Sequence, residues 1–238
     1  METKFELQEV ILDDAGEISY AQAWERQEAI FARTVQIKID NRLKQDSAQM
    51  DTDHHLILCE HPPVVTLGKN ANVANLLIPE SGTDKVEVFH TNRGGDVTFH
   101  GPGQLVGYPI LDLDKYYTDI GRYLRDLEET IIRTIGEYGL KGDRLPGATG
   151  VWLDPEDPLR ARKICAMGIR CSRWVTMHGF ALNVNTDLMY FNLIVPCGIS
   201  DKAVTSIQKE LGREVDMEEL KGHFLSHFEE VFHCTYTS

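Results

Sequence analysis

The chain has 238 residues, 42% of them hydrophobic and 26% charged, with a formal net charge of −13 at pH 7. That is enough apolar material for one sizeable core, and a surface this acidic repels phosphate backbones on average, which sets nucleic acid aside as a partner. No run of about 18 apolar residues is present, and METKFELQEVILDD has neither the basic start nor the apolar stretch of a secretory signal. The expectation is a cytoplasmic protein with no membrane partner.

No repeat, low-complexity tract or long linker interrupts the sequence, so 1–238 reads as a single domain. From Ser19 to Lys44 the residues favour helix, with Tyr20, Trp24, Ile30 and Ile37 on one face. LILCEHPPVVTLG predicts two short strands separated by Pro62 and Pro63, since proline supplies no ladder donor. Residues 86–111 alternate strand-like pieces with RGGDVTFHGPGQ (Arg93 to Gln104), which holds four glycines within twelve residues. Such a stretch is either a set of turns between strands or a place where backbone approaches a ligand, with Arg93 and His100 as its side-chain chemistry.

The next helix is the most regular. Thr118 is its expected cap, Ile120, Tyr123, Leu124, Leu127, Ile131 and Ile135 form one apolar stripe, and Gly139 ends it. Strand patterns return in GVWL, KICAMGIR and WVTMHGFALNVN. A last helix is expected over about 217–232, opened by an Asp216 to Glu219 capping box, with Met217, Leu220, Phe224, Phe228 and Val231 inward. The fold class is therefore α/β of the α+β kind: a mixed, largely antiparallel sheet flanked by helices.

Five cysteines without a CxxC pair argue for free thiols rather than a disulfide framework or zinc ribbon. Cys197, in VPCGI, sits between a residue that fixes φ and one that frees it, so a turn can present the thiol as a nucleophile; a small buried hydrophobe is the commoner fate of a free cysteine. Cys59 is assigned to packing and Cys234 to a frayed end. A thiol nucleophile needs a base, because at neutral pH only a few per cent of an ordinary thiol is ionised. Lys163 opens KICAMGIR, where strict alternation puts Lys163, Cys165 and Met167 on one face; it is either a surface lysine or a buried base. His100 and His178 each precede glycine and are expected at a shared pocket. HExxH, GxGxxG opening a helix and GxxxxGK[ST] are all absent, so no metal and no nucleotide cofactor is expected.

Taken in order, LCEHPPVVTLG, RGGDVTFHGPGQLVGYPILDL, GVWL, KICAMGIR, MHGFALNVN and PCGI resemble the lipoyl(octanoyl) transferases, the octanoyl-[acyl-carrier-protein]:protein N-octanoyltransferases, over about residues 55–208. The resemblance implies the fold of biotin and lipoate protein ligases. It also implies a Cys197 acyl-thioester with Lys163 as its partner, as the first step of endogenous protein lipoylation. The donor would be octanoyl-acyl carrier protein; the acceptors would be lipoyl domains of 2-oxoacid dehydrogenase complexes and the glycine cleavage H protein. By the same matching, Arg93, Gly94, Gly95, Asp96, Val97, Thr98, Phe99 and His100 would line the substrate pocket. So would Ala166, Met167 and Gly168, together with Gly179, Phe180 and Ala181.

Competing readings remain at this point: an ATP-using ligase on the same fold, a non-catalytic acyl-binding module, and a cysteine hydrolase. The cations Arg160, Arg162, Arg170 and Arg173 form a run free of acids, which is either a solvated surface or a docking patch for an acidic carrier.

Overall fold

The structure, a computed structural model, describes residues 6–45, 48–195 and 203–237. Its frame is a large sheet with the strand order β12-β1-β2-β6-β10-β9-β8-β7, and a short strand β11 beside β9. The strands are β1 (Gln8–Glu17), β2 (His54–Glu60), β6 (Gln104–Ile110), β7 (Gly142–Leu145), β8 (Ala148–Leu153), β9 (Arg162–Ser172), β10 (Val175–Asn183), β11 (Ala203–Val204) and β12 (Cys234–Thr237). From β2 to β7 every neighbour is antiparallel, whereas β1 runs parallel to both β2 and β12, and β11 parallel to β9. A second sheet of three strands, β4 (Glu87–His90), β3 (Val64–Leu67) and β5 (Val97–His100), stands beside it. The mixed, largely antiparallel sheet expected from the sequence is present.

Helix α1 (Tyr20–Asn41) covers one face of the large sheet, and α2 (Ile120–Gly136) and α4 (Met217–Phe232) pack on each other over the opposite one; a short α3 (Ile207–Leu211) precedes α4. Period-two alternation along β2 divides the residues between the two layers. Leu56 and Leu58 face α2 and α4, while Ile57 and Cys59 face α1. Burial assigns Cys59 to packing and pushes its thiol pKa well up.

Most helix expectations hold. α1 opens with a reciprocal Ser19–Gln22 capping box, and Asp216 accepts hydrogen bonds from the Glu218 and Glu219 amides at the start of α4. The cap of α2 is Asp119 rather than Thr118. The Asp119 carboxylate accepts from the Arg122 N–H at 2.9 Å, and its charge complements the helix N-terminus. Cys234 is not at a frayed end: it pairs with Gln8 in β12, and its residue is buried. No helix among the described residues is long and apolar enough to cross a membrane.

Candidate active site

Where the two sheets meet, a cavity of about 80 Å³ opens between the glycine segment, β9 and β10. The glycine segment is held from below by Arg93, whose guanidinium is buried. Its Nη2 donates to the Thr66 carbonyl (2.7 Å) and the Asp96 carbonyl (2.8 Å), and its Nε donates to Thr66 Oγ1 (3.2 Å). A planar fork of donors suits this task, because it ties β3 to both ends of the turn at once. Asp96 turns its carboxylate away, onto the Asn72 N–H and the Asn75 amide.

Contact with the large sheet is made backbone to backbone. The Gly94 N–H donates to the Ile169 carbonyl (2.8 Å), and a Cβ on Gly168 would lie 2.6 Å from the Gly94 oxygen. Only glycine at position 168 lets the segment come this close.

A hydrogen-bonded row crosses the cavity floor. Thr66 Oγ1 meets His100 Nε2 (3.4 Å), His100 Nδ1 donates to Gln104 Oε1 (2.9 Å), and the Gln104 amide donates to Asn183 Oδ1 (2.9 Å). Asn183 continues to the Thr205 carbonyl at 3.0 Å. Because Gln104 Oε1 can only accept, His100 carries its proton on Nδ1. His178 lies nearby in the left-handed region, at φ 61°, with its N–H held by Gln27 Oε1 (3.1 Å) and its Nε2 by Asn92 Oδ1 (2.9 Å). Pairing of β10 with β6 ends at Phe180–Gly107, short of His178 and of Pro109, which has no N–H to give. Burial depresses both imidazoles to about 3, so both are neutral at pH 7.

Lys163 reaches the cavity through an irregularity. Along β9, Cys165 pairs with Val151 and Lys163 with the adjacent Trp152, which leaves Ile164 as an extra residue. This bulge corrects the alternation expected from sequence. Ile164 and Cys165 both enter the α2/α4 core, and Lys163 lines the cavity together with Ala166 and Gly168. Its Nζ donates to the Thr149 carbonyl (3.1 Å) and lies 4.7 Å from the centre of the Trp152 ring. Strand β11 runs beside it, with Val204 paired to Lys163.

Of the residues expected at the pocket, Arg93, Gly95, Asp96, Val97, Thr98, His100, Met167, Gly179, Phe180 and Ala181 line the cavity as well. Gly94 and Phe99 do not. Gly94 is spent on the β9 contact, and Phe99 turns into the core of the small sheet, stacked 4.9 Å from Tyr190. Cys197 lies outside the described residues. Sequence reasoning missed Tyr20, Tyr108, Asn183, Phe191 and Val204 in the lining, because they come from elements that are far apart along the chain.

The run of arginines is largely neutralised. Arg160 and Arg162 pair with Asp154 (3.1 and 2.5 Å), Arg162 also with Glu210 (2.6 Å), and Arg170 with Glu28 (2.9 Å). Arg173 stays exposed at the β9–β10 turn. The acids come from β8's end, α3 and α1, which a local reading of charge does not see.

The fold is that of protein ligases for lipoate and biotin. Lipoate-protein ligase A bound with ATP superposes with a TM-score of 0.69 at 14% identity, over 98% of this chain and 88% of that one. Biotin protein ligase from Aquifex aeolicus in complex with biotin and ATP gives 0.50 at 12% identity, over 95% and 71%. At the level of sequence, residues 20–229 match the lipoyl protein ligase A/B catalytic domain. An octanoyltransferase of Christiangramia forsetii is 54% identical over 227 residues, covering 94% of this chain and 96% of the relative. The chain thus belongs to the lipoyl protein ligase A/B catalytic-domain family and, within it, to the octanoyltransferases.

Proposed function

We propose that this protein moves an octanoyl group from octanoyl-acyl carrier protein to the target lysine of a lipoyl domain, through a thioester on Cys197. The arrangement that carries the reading is Lys163 at the wall of a partly apolar cavity, with Phe191 and Val204 in the same lining. Those two residues stand on either side of the segment that holds Cys197. High identity to an octanoyltransferase supports the acyl group and the class of reaction.

In the first half-reaction Lys163 takes the Cys197 proton and the thiolate attacks the donor's thioester carbonyl. The new C–S bond forms as the carrier's C–S bond breaks, and the carrier thiolate leaves with the proton that Lys163 returns. In the second half the acceptor's neutral lysine amine attacks the Cys197 thioester, an amide forms, and the Cys197 thiol is restored. Each step exchanges one acyl bond for another, and amide formation from a thioester is downhill, so no nucleotide is required. Arg93 and His100 position the glycine segment, and the neutral state of both buried imidazoles leaves proton transfer to Lys163. The apolar tail would lie against side chains such as Val97 and Met167, each buried methylene contributing about 0.8 kcal/mol.

Intact-mass spectrometry after mixing with octanoyl-acyl carrier protein tests this. The expected result is one eight-carbon acyl adduct, absent in Cys197→Ala and discharged by a lipoyl domain. Retained activity of Cys197→Ala with free octanoate and ATP would instead mark a ligase.

A further inference from the structure

Glu128 sits on α2, a fully buried carboxylate beside the apolar stripe of Leu127, Ile131 and Ile135. Its Oε2 meets two guanidinium groups, Arg125 at 3.0 Å and Arg144 at 3.2 Å. Its Oε1 has a different partner: it accepts the N–H of Gly150 at 2.9 Å. Gly150 lies in β8 at φ 118°, a conformation that turns this N–H toward the helix. A side chain would not fit there, since a Cβ on Gly150 would come within 2.4 Å of the Cys165 carbonyl oxygen.

The peptide group that ends in the Gly150 N–H begins with the Thr149 carbonyl, and that carbonyl accepts the hydrogen bond from Lys163 Nζ at 3.1 Å. One planar peptide therefore has a buried carboxylate on its N–H end and the cavity lysine on its C=O end. From this juxtaposition we infer that Glu128 is a positioning residue for Lys163, acting across the sheet through the Thr149–Gly150 peptide. The inference rests on the reading of Lys163 as the proton carrier.

Two physical effects follow from the arrangement. The carboxylate fixes the orientation of the peptide plane, and so the place where Lys163 Nζ is held. A charged acceptor on the N–H also polarises the peptide and makes its carbonyl a stronger acceptor, as hydrogen bonds in series do. Trp152, on the same strand as Thr149, has its ring centre 4.7 Å from the same Nζ and further confines the lysine. Fixing a reacting group matters because small misplacements at a reacting centre are costly in rate.

The test is a double-mutant cycle on steady-state transfer from octanoyl-acyl carrier protein to a lipoyl domain, followed by intact mass of the acceptor, with Glu128→Gln, Lys163→Ala and the pair. Glutamine keeps the shape and removes the charge. The expectation for Glu128→Gln is a cooperative thermal transition like that of the parent, KM for the donor within about twofold, and kcat lower by about tenfold, as for a group whose effect appears in the transition state only. Glu128→Asp, which keeps the charge on a shorter arm, should recover part of the rate. In the double variant no loss should be seen beyond that of Lys163→Ala alone, because Glu128 acts through the lysine. Unchanged kcat in Glu128→Gln, or losses that multiply in the double variant, would overturn the inference. Full activity in Lys163→Ala would instead overturn the role assigned to Lys163, so the two failures are distinguishable. Should Glu128→Gln not fold, Glu128→Asp combined with Lys163→Ala gives the same cycle.

Discussion

On the face of the large sheet covered by α2 and α4, the buried contacts are mostly apolar, from Leu56, Leu105 and Leu182 to Phe224 and Phe228. On the side where the two sheets and α1 meet, the buried set includes Arg93, His100, His178, Thr66, Gln104 and Gln27. Burial is equally deep on the two sides but has opposite requirements. An apolar layer needs its volume filled, and a polar layer needs each donor and acceptor matched, since an unmatched buried group costs more than a matched one returns. The cavity belongs to the second layer, and its positions are fixed by hydrogen bonds that have direction.

The contrast can be broken at its most reactive point. Lys163→Ala should lower acyl transfer by about 10² to 10⁴-fold, measured as the rate of Cys197 acylation, with the thermal midpoint little changed. On the helix-covered side the outcome should be reversed. Phe228→Ala, which removes a ring stacked 4.3 Å from Phe232, should cost about 3 to 5 kcal/mol in urea unfolding. Acylation per folded molecule should stay near that of the parent.

Gly168→Ala probes where the two layers touch. Its Cβ would press on the Gly94 oxygen, and the expected loss is about 1 to 3 kcal/mol of stability, with KM for the donor raised because the glycine segment is displaced. The smallest effect is in pH. His100 and His178 have pKa values of about 3 when folded against 6.5 in their ordinary state. Below about pH 6.5 the unfolded chain therefore binds more protons than the folded one. Their contribution to stability is whole above that pH and is lost progressively as the pH falls toward 3. Thermal midpoints between pH 7 and 5 should fall less steeply in His178→Asn, since asparagine tolerates the left-handed conformation and does not titrate there. An unchanged slope would show that His178 is not a source of the acid sensitivity.

What the sequence makes legible follows the range of the interactions involved. The stripe of Tyr123, Leu127, Ile131 and Ile135 and the break at Pro62 and Pro63 depend on neighbours a few residues away, and both appear where they are expected. His100 and His178 can be placed at one pocket because each adjoins a glycine in strand-like sequence. The Ile164 bulge is set by pairing with β8, the left-handed His178 is held by Gln27 of α1 and by Asn92, and the arginines are neutralised by acids from three other parts of the fold. No local pattern encodes these. Glu128 is the sharpest case, since an acid beside an apolar stripe reads as solvated and is instead fully buried.

The pairing of β1 with β12 sets an order on synthesis. Gln8 to Ile11 are translated more than two hundred residues before Cys234–Thr237, the strand that closes their outer edge. Until β12 is made, β1 can lie against β2 but keeps a row of unmatched amides and carbonyls on its other side. The nascent protein is therefore exposed to strand-mediated association until β12 is made, and variants that lack β12 should lose soluble yield more than they lose the activity of molecules that fold.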